Sequence, residues 1–350
     1  MAGTARKAFV ATLVGLAVVV GALALWKLKL ILSLVFLGFI VAAAMRPGVD
    51  ALKRRGIPRG VGVLIHYLVL VGLVALFLWL VVPRAVTQVQ HALDRDRIRH
   101  AARTSTGIKH DVLNGLDKRL RRLPSGSKLV QPAAEVTKRA FEVMLGIFFT
   151  LATAAYWIFE RDRAIDLVAS LMPREKRKRM RDTWDLIDAK LGAFVRGQAL
   201  LVVLVGTVLS IAFAIIGLPY WILVGSFAGI VEIVPVIGPL AAGALAVGVG
   251  LTVSWHTALA AGLCVLAVRL LEDYIVLPKV LGDATGLSPL VVLFSVSAIT
   301  ILFGGLAVLL AVPFAAVLAT LVDVVVRGRN PAEEEVPTVL FPAKDAEAGS

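Results

Sequence analysis

The sequence predicts an all-α polytopic membrane protein of about eight spans, including two proline- and glycine-broken pairs that form short or re-entrant hairpins, plus an external helical region. Three observations carry this. Of 350 residues 59% are hydrophobic and mean hydropathy is +0.87, beyond the composition of soluble domains. The apolar residues gather in blocks rather than faces: Ala8–Leu25, Leu28–Met45, Val61–Val82, Phe141–Phe159, Ala199–Ile216, Thr257–Leu277 and Leu287–Val326. Each is close to the ~20 residues a helix needs to cross the hydrocarbon, and the last is about twice that. The period-two alternation of a β-barrel is absent.

Met1–Lys7 and the apolar run after it, with Ala22-Leu23-Ala24 near its end, have the outline of a signal peptide. A second apolar block follows almost at once, which favours an uncleaved helical hairpin turning at Trp26–Lys29. Arg46–Arg59 (RPGVDALKRRGIPR) holds five basic residues against one acid, so it is read as cytoplasmic. The N-terminus, with Arg6 and Lys7, then lies on the same side and the turn faces outward. The third helix is expected to exit near Pro83, completing a first unit of three membrane helices over 1–83.

Residues 84–139 follow as an external region, because long segments translocate largely regardless of charge. Within it Ile108, Val112, Leu116, Leu120 and Leu123 recur at helical spacing and predict an amphipathic helix. The unit 140–198 holds the fourth span and a cytoplasmic stretch whose PREKRKRMR run (173–181) reads as a solvated, orienting face. There Met180, Trp184, Ile187, Leu191 and Phe194 form a helical stripe, lying on the membrane or packed against the bundle, that leads into the fifth span at Gly197. A core with the broken hairpins occupies 199–326. Arg327 and Arg329 place the C-terminus in the cytoplasm, and the acidic tail, 327–350, reads as disordered.

Several function classes lose their signatures. The single cysteine, Cys264, sits inside an apolar block, which excludes a disulfide or cysteine-based metal framework. Phosphate-loop, metalloprotease, nucleophile-elbow and dinucleotide patterns are missing. Neither cofactor, metal site nor enzyme activity is therefore expected. The net charge of +13 fits orientation in the membrane and contact with anionic lipids, not nucleic-acid binding.

What remains is polar and helix-breaking residues inside lipid-length segments. Glu232 precedes Pro235, Gly238 and Pro239 (VEIVPVIGPL), and broken backbone survives at membrane depth only in protein or along a wet cavity. A structural kink is one reading; a re-entrant tip lining a solute path is the other, and the carboxylate favours it. Arg269, Glu272 and Asp273 (VRLLEDYIVLP) share one helical face, as a self-neutralising cluster or as a gate. Leu287–Val326 contains Ser288-Pro289, the Gly304-Gly305 break and Pro313, so two interrupted hydrophobic pairs, at 219–253 and 287–326, look like the discontinuous segments of secondary transporters. Arg161-Asp162 reads as a charged helix end, His66 and His256 as interfacial, and Asp323 as wetted at the last boundary.

Several runs together resemble the autoinducer-2 exporter family of bacterial permeases, also called PerM-type permeases. They are E-I-V-P-V-I-G-P at 232–239, E-D-x-x-V-L-P-K-V-x-G at 272–282, L-S-P-L-V-V-L at 287–293 and G-G-L-A-V-L-L-A-V-P at 304–313. R-x-x-P and K-R-R-G-I-P-R after the second block, and F-E-R-D after the fourth, stand in matching order, so the resemblance runs from about Leu13 to Val326. It implies a homo-oligomeric transporter of the bacterial inner membrane, in which the C-terminal half moves like an elevator against the earlier helices. The implied activity is export of a small polar solute or signal. On this view Glu232, Pro235, Gly238, Pro239, Ser288 and Pro289 line the path, Arg269, Glu272 and Asp273 gate or couple it to protons or sodium, and Gly304, Gly305 and Pro313 form a hinge. Two other readings stand beside it: a sodium–proton antiporter using the same acids, and a non-transporting membrane scaffold.

Overall fold

One helix, α1 (Ala2–Arg54), takes up both of the first two apolar blocks, so the turn expected at Trp26–Lys29 is absent. The reason is local. Trp-Lys-Leu-Lys contains no breaker, the Lys29 ammonium lies 4.4 Å over the Trp26 ring, and the Ser33 hydroxyl donates to the Lys29 carbonyl at 2.7 Å. These are i,i+3 and i,i+4 contacts that only a continuing helix makes. At 1.5 Å per residue α1 is about 80 Å long. Its large apolar side chains from Phe9 to Leu32 are exposed, whereas Ile40, Ala42, Ala43 and Val49 are buried. Without that turn, α1 does not bring the N-terminus back to the side of Arg46–Arg59.

The computed structural model describes residues 2–92, 130–234, 237–276, 289–334 and 336. The expected amphipathic helix between Ile108 and Leu123 lies outside the described residues. Helix α2 (Arg59–Ala92) runs through Pro83, where an exit was expected. An interior proline removes one backbone bond and bends a helix without ending it when helix formers follow. Near its start α2 folds back on α1, with Gly62 against Val49 and Gly48 against His66. Helix α3 (Val130–Ser170) closes this group. The Tyr67 hydroxyl donates to the Leu151 carbonyl, and Ala42, Met45, Val49, Val63, Ala154 and Ile158 form the shared core.

Helix α4 (Arg174–Ile215) carries the predicted stripe. Ile187 and Leu191 enter a cluster with Ile40, Ala43 and Leu310, and Trp184 stacks obliquely on Trp157 at 5.8 Å. The stripe thus packs against the bundle, and the helix passes Gly197 unbroken. Its outer half joins α5 (Trp221–Val231), α6 (Ile237–Leu251) and α7 (Trp255–Leu271). Their common core includes Leu209, Phe213, Val224, Ala228, Ala246 and Val265. With 11 and 15 residues, α5 and α6 are about 16 and 22 Å long, short of the ~30 Å hydrocarbon. The pair is a hairpin of two helices each shorter than the hydrocarbon. Its close approach to α4 depends on glycines: a Cβ on Gly229 would lie 2.7 Å from Gly206 Cα.

The second broken pair is α8 (Pro289–Phe303), a 3₁₀ turn (Gly305–Leu310) and α9 (Ala311–Val325). Gly304 has φ 95°, a conformation open to glycine at little cost. This pair packs against α1 and α4, with Phe36 and Phe314 edge to face at 6.1 Å. Among the described residues five stretches are long and apolar enough to cross a membrane: Phe9–Arg54, Arg59–Val81, Lys138–Ser170, Arg174–Ile215 and Ala307–Val325. With the shorter apolar helices they make an all-α, multi-pass membrane protein.

The start of the tail differs from the disorder expected over 327–350. Asp323 pairs with Arg327 at 2.8 Å, the Arg179 guanidinium donates to the Arg329 carbonyl at 3.3 Å, and the buried Lys190 ammonium meets Glu334 at 2.6 Å. A lysine buried in α4 requires an acid, and the tail supplies it.

Candidate functional site

Glu232 ends α5, and its own N–H still bonds back to the Ala228 carbonyl at 3.2 Å. Beyond it the helix stops, and the break needs partners for its backbone. Gln198 on α4 provides one: its side-chain amide donates to the Glu232 carbonyl at 2.9 Å. The Val234 N–H bonds to Val231 O at 2.9 Å and the Gly238 N–H to Val234 O at 2.8 Å, carrying the chain from one short helix to the next. Gly238 is buried, and a Cβ there would collide with the Val231 carbonyl and lie 3.1 Å from Glu232 Cα. Only glycine lets α6 begin so close to the end of α5. Pro239 sits in the first turn of α6, where a missing N–H costs nothing.

The Glu232 side chain turns towards α7. There Arg269 Nη1 donates to Glu232 at 3.3 Å and to Glu272 at 3.3 Å, while Nη2 reaches Asp273 at 2.9 Å. Glu232 and Glu272 side chains are 6% and 4% exposed, against 31% for Arg269 and 39% for Asp273. The two buried carboxyl groups share one donor, Arg269 Nη1. One guanidinium therefore faces three carboxyl groups, two of them nearly dry. The π turn Glu272–Val276 follows directly on α7, and such turns gather at functional sites.

The sequence thus offers Glu232 and the Arg269-Glu272-Asp273 group as separate features, and the fold joins them into one site. Gln198, which completes the break, has no sequence signal of its own. Pro235 and Ser288 lie outside the described residues. Pro289 begins α8, Gly304 and Gly305 make the turn after it, and Pro313 is fully buried in α9. Among the described residues the main contacts of this second pair run to α1 and α4.

Arg161, read as a helix end, is instead 6% exposed and central to a second cluster. It donates to Asp185 and Asp188 on α4. Arg46 on α1 reaches the same Asp188 at 3.2 Å and Asp50 at 3.5 Å. Asp185 and Asp188, three apart on one helix, were the available signal. This network ties α1 and α3 to α4.

Residues 13–327 match the family model described as AI-2E family transporter. Three curated relatives carry the name "Putative transport protein". YrrI of Bacillus subtilis (strain 168) is 25% identical over 307 residues, covering 83% of this chain and 85% of the relative. YueF of the same organism is 27% identical over 307 residues, with 82% and 83% covered. MT0215 of Mycobacterium tuberculosis (strain CDC 1551 / Oshkosh) is 28% identical over 317 residues, with 87% and 85% covered.

Proposed function

This chain belongs to the AI-2E transporter family, and on that premise we propose that it is a secondary transporter exporting a small polar solute of the autoinducer-2 type through the site around Glu232. The observation that carries the reading is the joining of Glu232 to Arg269, Glu272 and Asp273 at the tip of a hairpin too short to cross the membrane. Broken backbone at that depth presents a glutamate and unwound peptide groups to a solute. The path residues are Glu232, Pro235, Gly238, Pro239, Ser288 and Pro289. Arg269, Glu272 and Asp273 gate it and hold the coupling proton. Gly304, Gly305 and Pro313 serve as the hinge. No catalytic role is assigned to any of these residues.

The elevator-like motion draws support from packing. The outer half of α4 shares its core with α5–α7, while α1–α3 form a separate group. The bare apolar half of α1 favours homo-oligomeric assembly in a bacterial inner membrane, with anionic lipids around it. On this reading the basic Arg46–Arg59 loop and the C-terminus face the cytoplasm, and the unbroken α1 supports an N-terminus on the opposite side.

Efflux from proteoliposomes under an imposed proton gradient is the test. Glu232→Gln and Glu272→Gln are each expected to lower gradient-driven flux at least tenfold; unchanged flux removes the assignment. A second reading, sodium–proton antiport, is favoured by the two adjacent buried acids alone. It predicts sodium-dependent pH changes in vesicles without any organic solute.

A further inference from the structure

At the end of the bundle opposite the exposed half of α1, the C-terminal turn of α1 and the start of α2 meet α3 and α4 around a cleft of about 540 Å³. Six cationic side chains line it, Arg46, Lys53, Arg54, Arg59, Arg161 and Arg181, against four aspartates. Most of these charges are matched. Arg161 is taken up by Asp185 and Asp188, Arg46 by Asp50 and Asp188, and Arg181 by Asp166 at 2.8 Å. Three are not matched in this way. Lys53 and Arg54 have no ion-pair partner among the described residues. Arg59 has only a 3.8 Å contact with Asp162, and its Nε is buried with no hydrogen-bond partner.

The formal excess over the lining aspartates is two positive charges, and one when Asp188, the partner of Arg46 and Arg161, is counted. Lys53 and Arg54 occupy the last turn of α1, where the helix dipole accounts for some basic bias. That does not account for the Arg59 guanidinium, which lines the cleft with only the 3.8 Å contact to Asp162 and has a buried Nε without a partner. A buried unpaired donor costs free energy unless something accepts from it. The volume falls within the usual range of small-ligand pockets, roughly 300–1,000 Å³.

We propose that this cleft is a binding site for a phosphate-bearing anion, held by Lys53, Arg54 and Arg59 and separate from the solute site around Glu232. Planar guanidinium groups and a lysine suit phosphate oxygens, and a phosphate group carrying one to two negative charges fits the excess. The cleft sits on the basic side of the membrane, so the phosphate comes either from an anionic lipid headgroup or from a soluble phosphate compound.

The test uses the purified full chain at constant ionic strength. The soluble arm titrates inorganic pyrophosphate by calorimetry in detergent. The lipid arm compares thermal stability in nanodiscs of phosphatidylcholine with and without phosphatidylglycerol. Wild type is expected to respond in at least one arm, and the responding arm identifies the source. Arg59→Gln, and the double variant Lys53→Ala with Arg54→Ala, are each expected to weaken the response at least tenfold. A charge-matched control, Lys176→Ala with Lys178→Ala, is expected to keep it. Circular dichroism checks that each variant is folded, and the double variant changes only exposed side chains should Arg59→Gln fail. No response in either arm overturns the site. So does a response that the control loses as fully as the cleft variants, since that marks general surface attraction.

Discussion

Arg269 is the residue on which the acid site depends, because it alone holds Glu232, Glu272 and Asp273 to one point. Removing it leaves two nearly dry carboxyl groups without a cation among the described residues. Arg269→Ala is expected to lower stability by about 2–3 kcal/mol, below the full cost of breaking a buried pair because the arginine is partly wet. Chemical denaturation in detergent measures this, and Arg269→Lys, which keeps charge but not the fork, is expected to recover about half; full loss in both makes shape, not charge, decisive. Gly238 tests the hairpin itself. Gly238→Ala places a methyl group against the Val231 carbonyl and is expected to cost about 1–3 kcal/mol, whereas Gly248→Ala, with open space around it, costs nothing measurable. Each acid was legible in the sequence as an anomaly within an apolar run. Their meeting was not, because Glu232 and Arg269 are separated by 37 positions and one pattern cannot register two helices against each other. The role of Gln198 was hidden for the same reason: it answers a backbone carbonyl, and carbonyls leave no trace in side-chain identity.

At the scale of elements, length and composition showed which stretches are helical but not where one ends. The Trp26–Lys29 turn was inferred from spacing between two apolar blocks, yet the local chemistry there is all helix-forming and α1 continues. Pro83 shows the opposite confusion, a breaker that α2 runs through. The break at Glu232–Val234 and the turn at Gly304 were read correctly because each gathers glycine or proline where no helical partner can replace the lost bonds. The basic run at 173–181 was legible as charge, but not as the start of a helix that holds the tail through Arg179 and Lys190. Continuity of α1 has a direct consequence. A topology reporter fused before Ala2 is expected to read external, while reporters inserted after Gly56 or fused at the C-terminus read cytoplasmic. A cytoplasmic reading at all three sites would mean that α1 turns back in the membrane near Trp26–Lys29 and would restore the hairpin.

The whole molecule divides along the face where α1 and α3 meet α4. On one side lie the core of α1–α3 and on the other the core of α4–α7. The interface between them is joined by ion pairs, Arg46 and Arg161 to Asp188, and by the small cluster of Ile40, Ala43, Ile187, Leu191 and Leu310. These ion pairs and one small apolar cluster are fewer contacts to exchange than the core on either side, so we propose this as the face that a sliding motion uses. By contrast α6 and α7 are locked by close approach: a Cβ on Gly262 would lie 3.1 Å from Val247 Cγ2, and one on Gly250 would lie 2.5 Å from Ala258 Cα. Cross-linking separates the two cases, since Cys264 is the only native cysteine and is replaceable by serine. In that background, oxidising the pair Ala43→Cys with Leu191→Cys is expected to stop flux at least tenfold, with recovery on reduction. The pair Val247→Cys with Gly262→Cys, within one body, is expected to leave flux unchanged when oxidised. Equal transport by both oxidised pairs would mean that α4 does not move against α1, and the hairpin tip at Glu232 would then have to open on its own, by separation of α5 and α6 from Gln198.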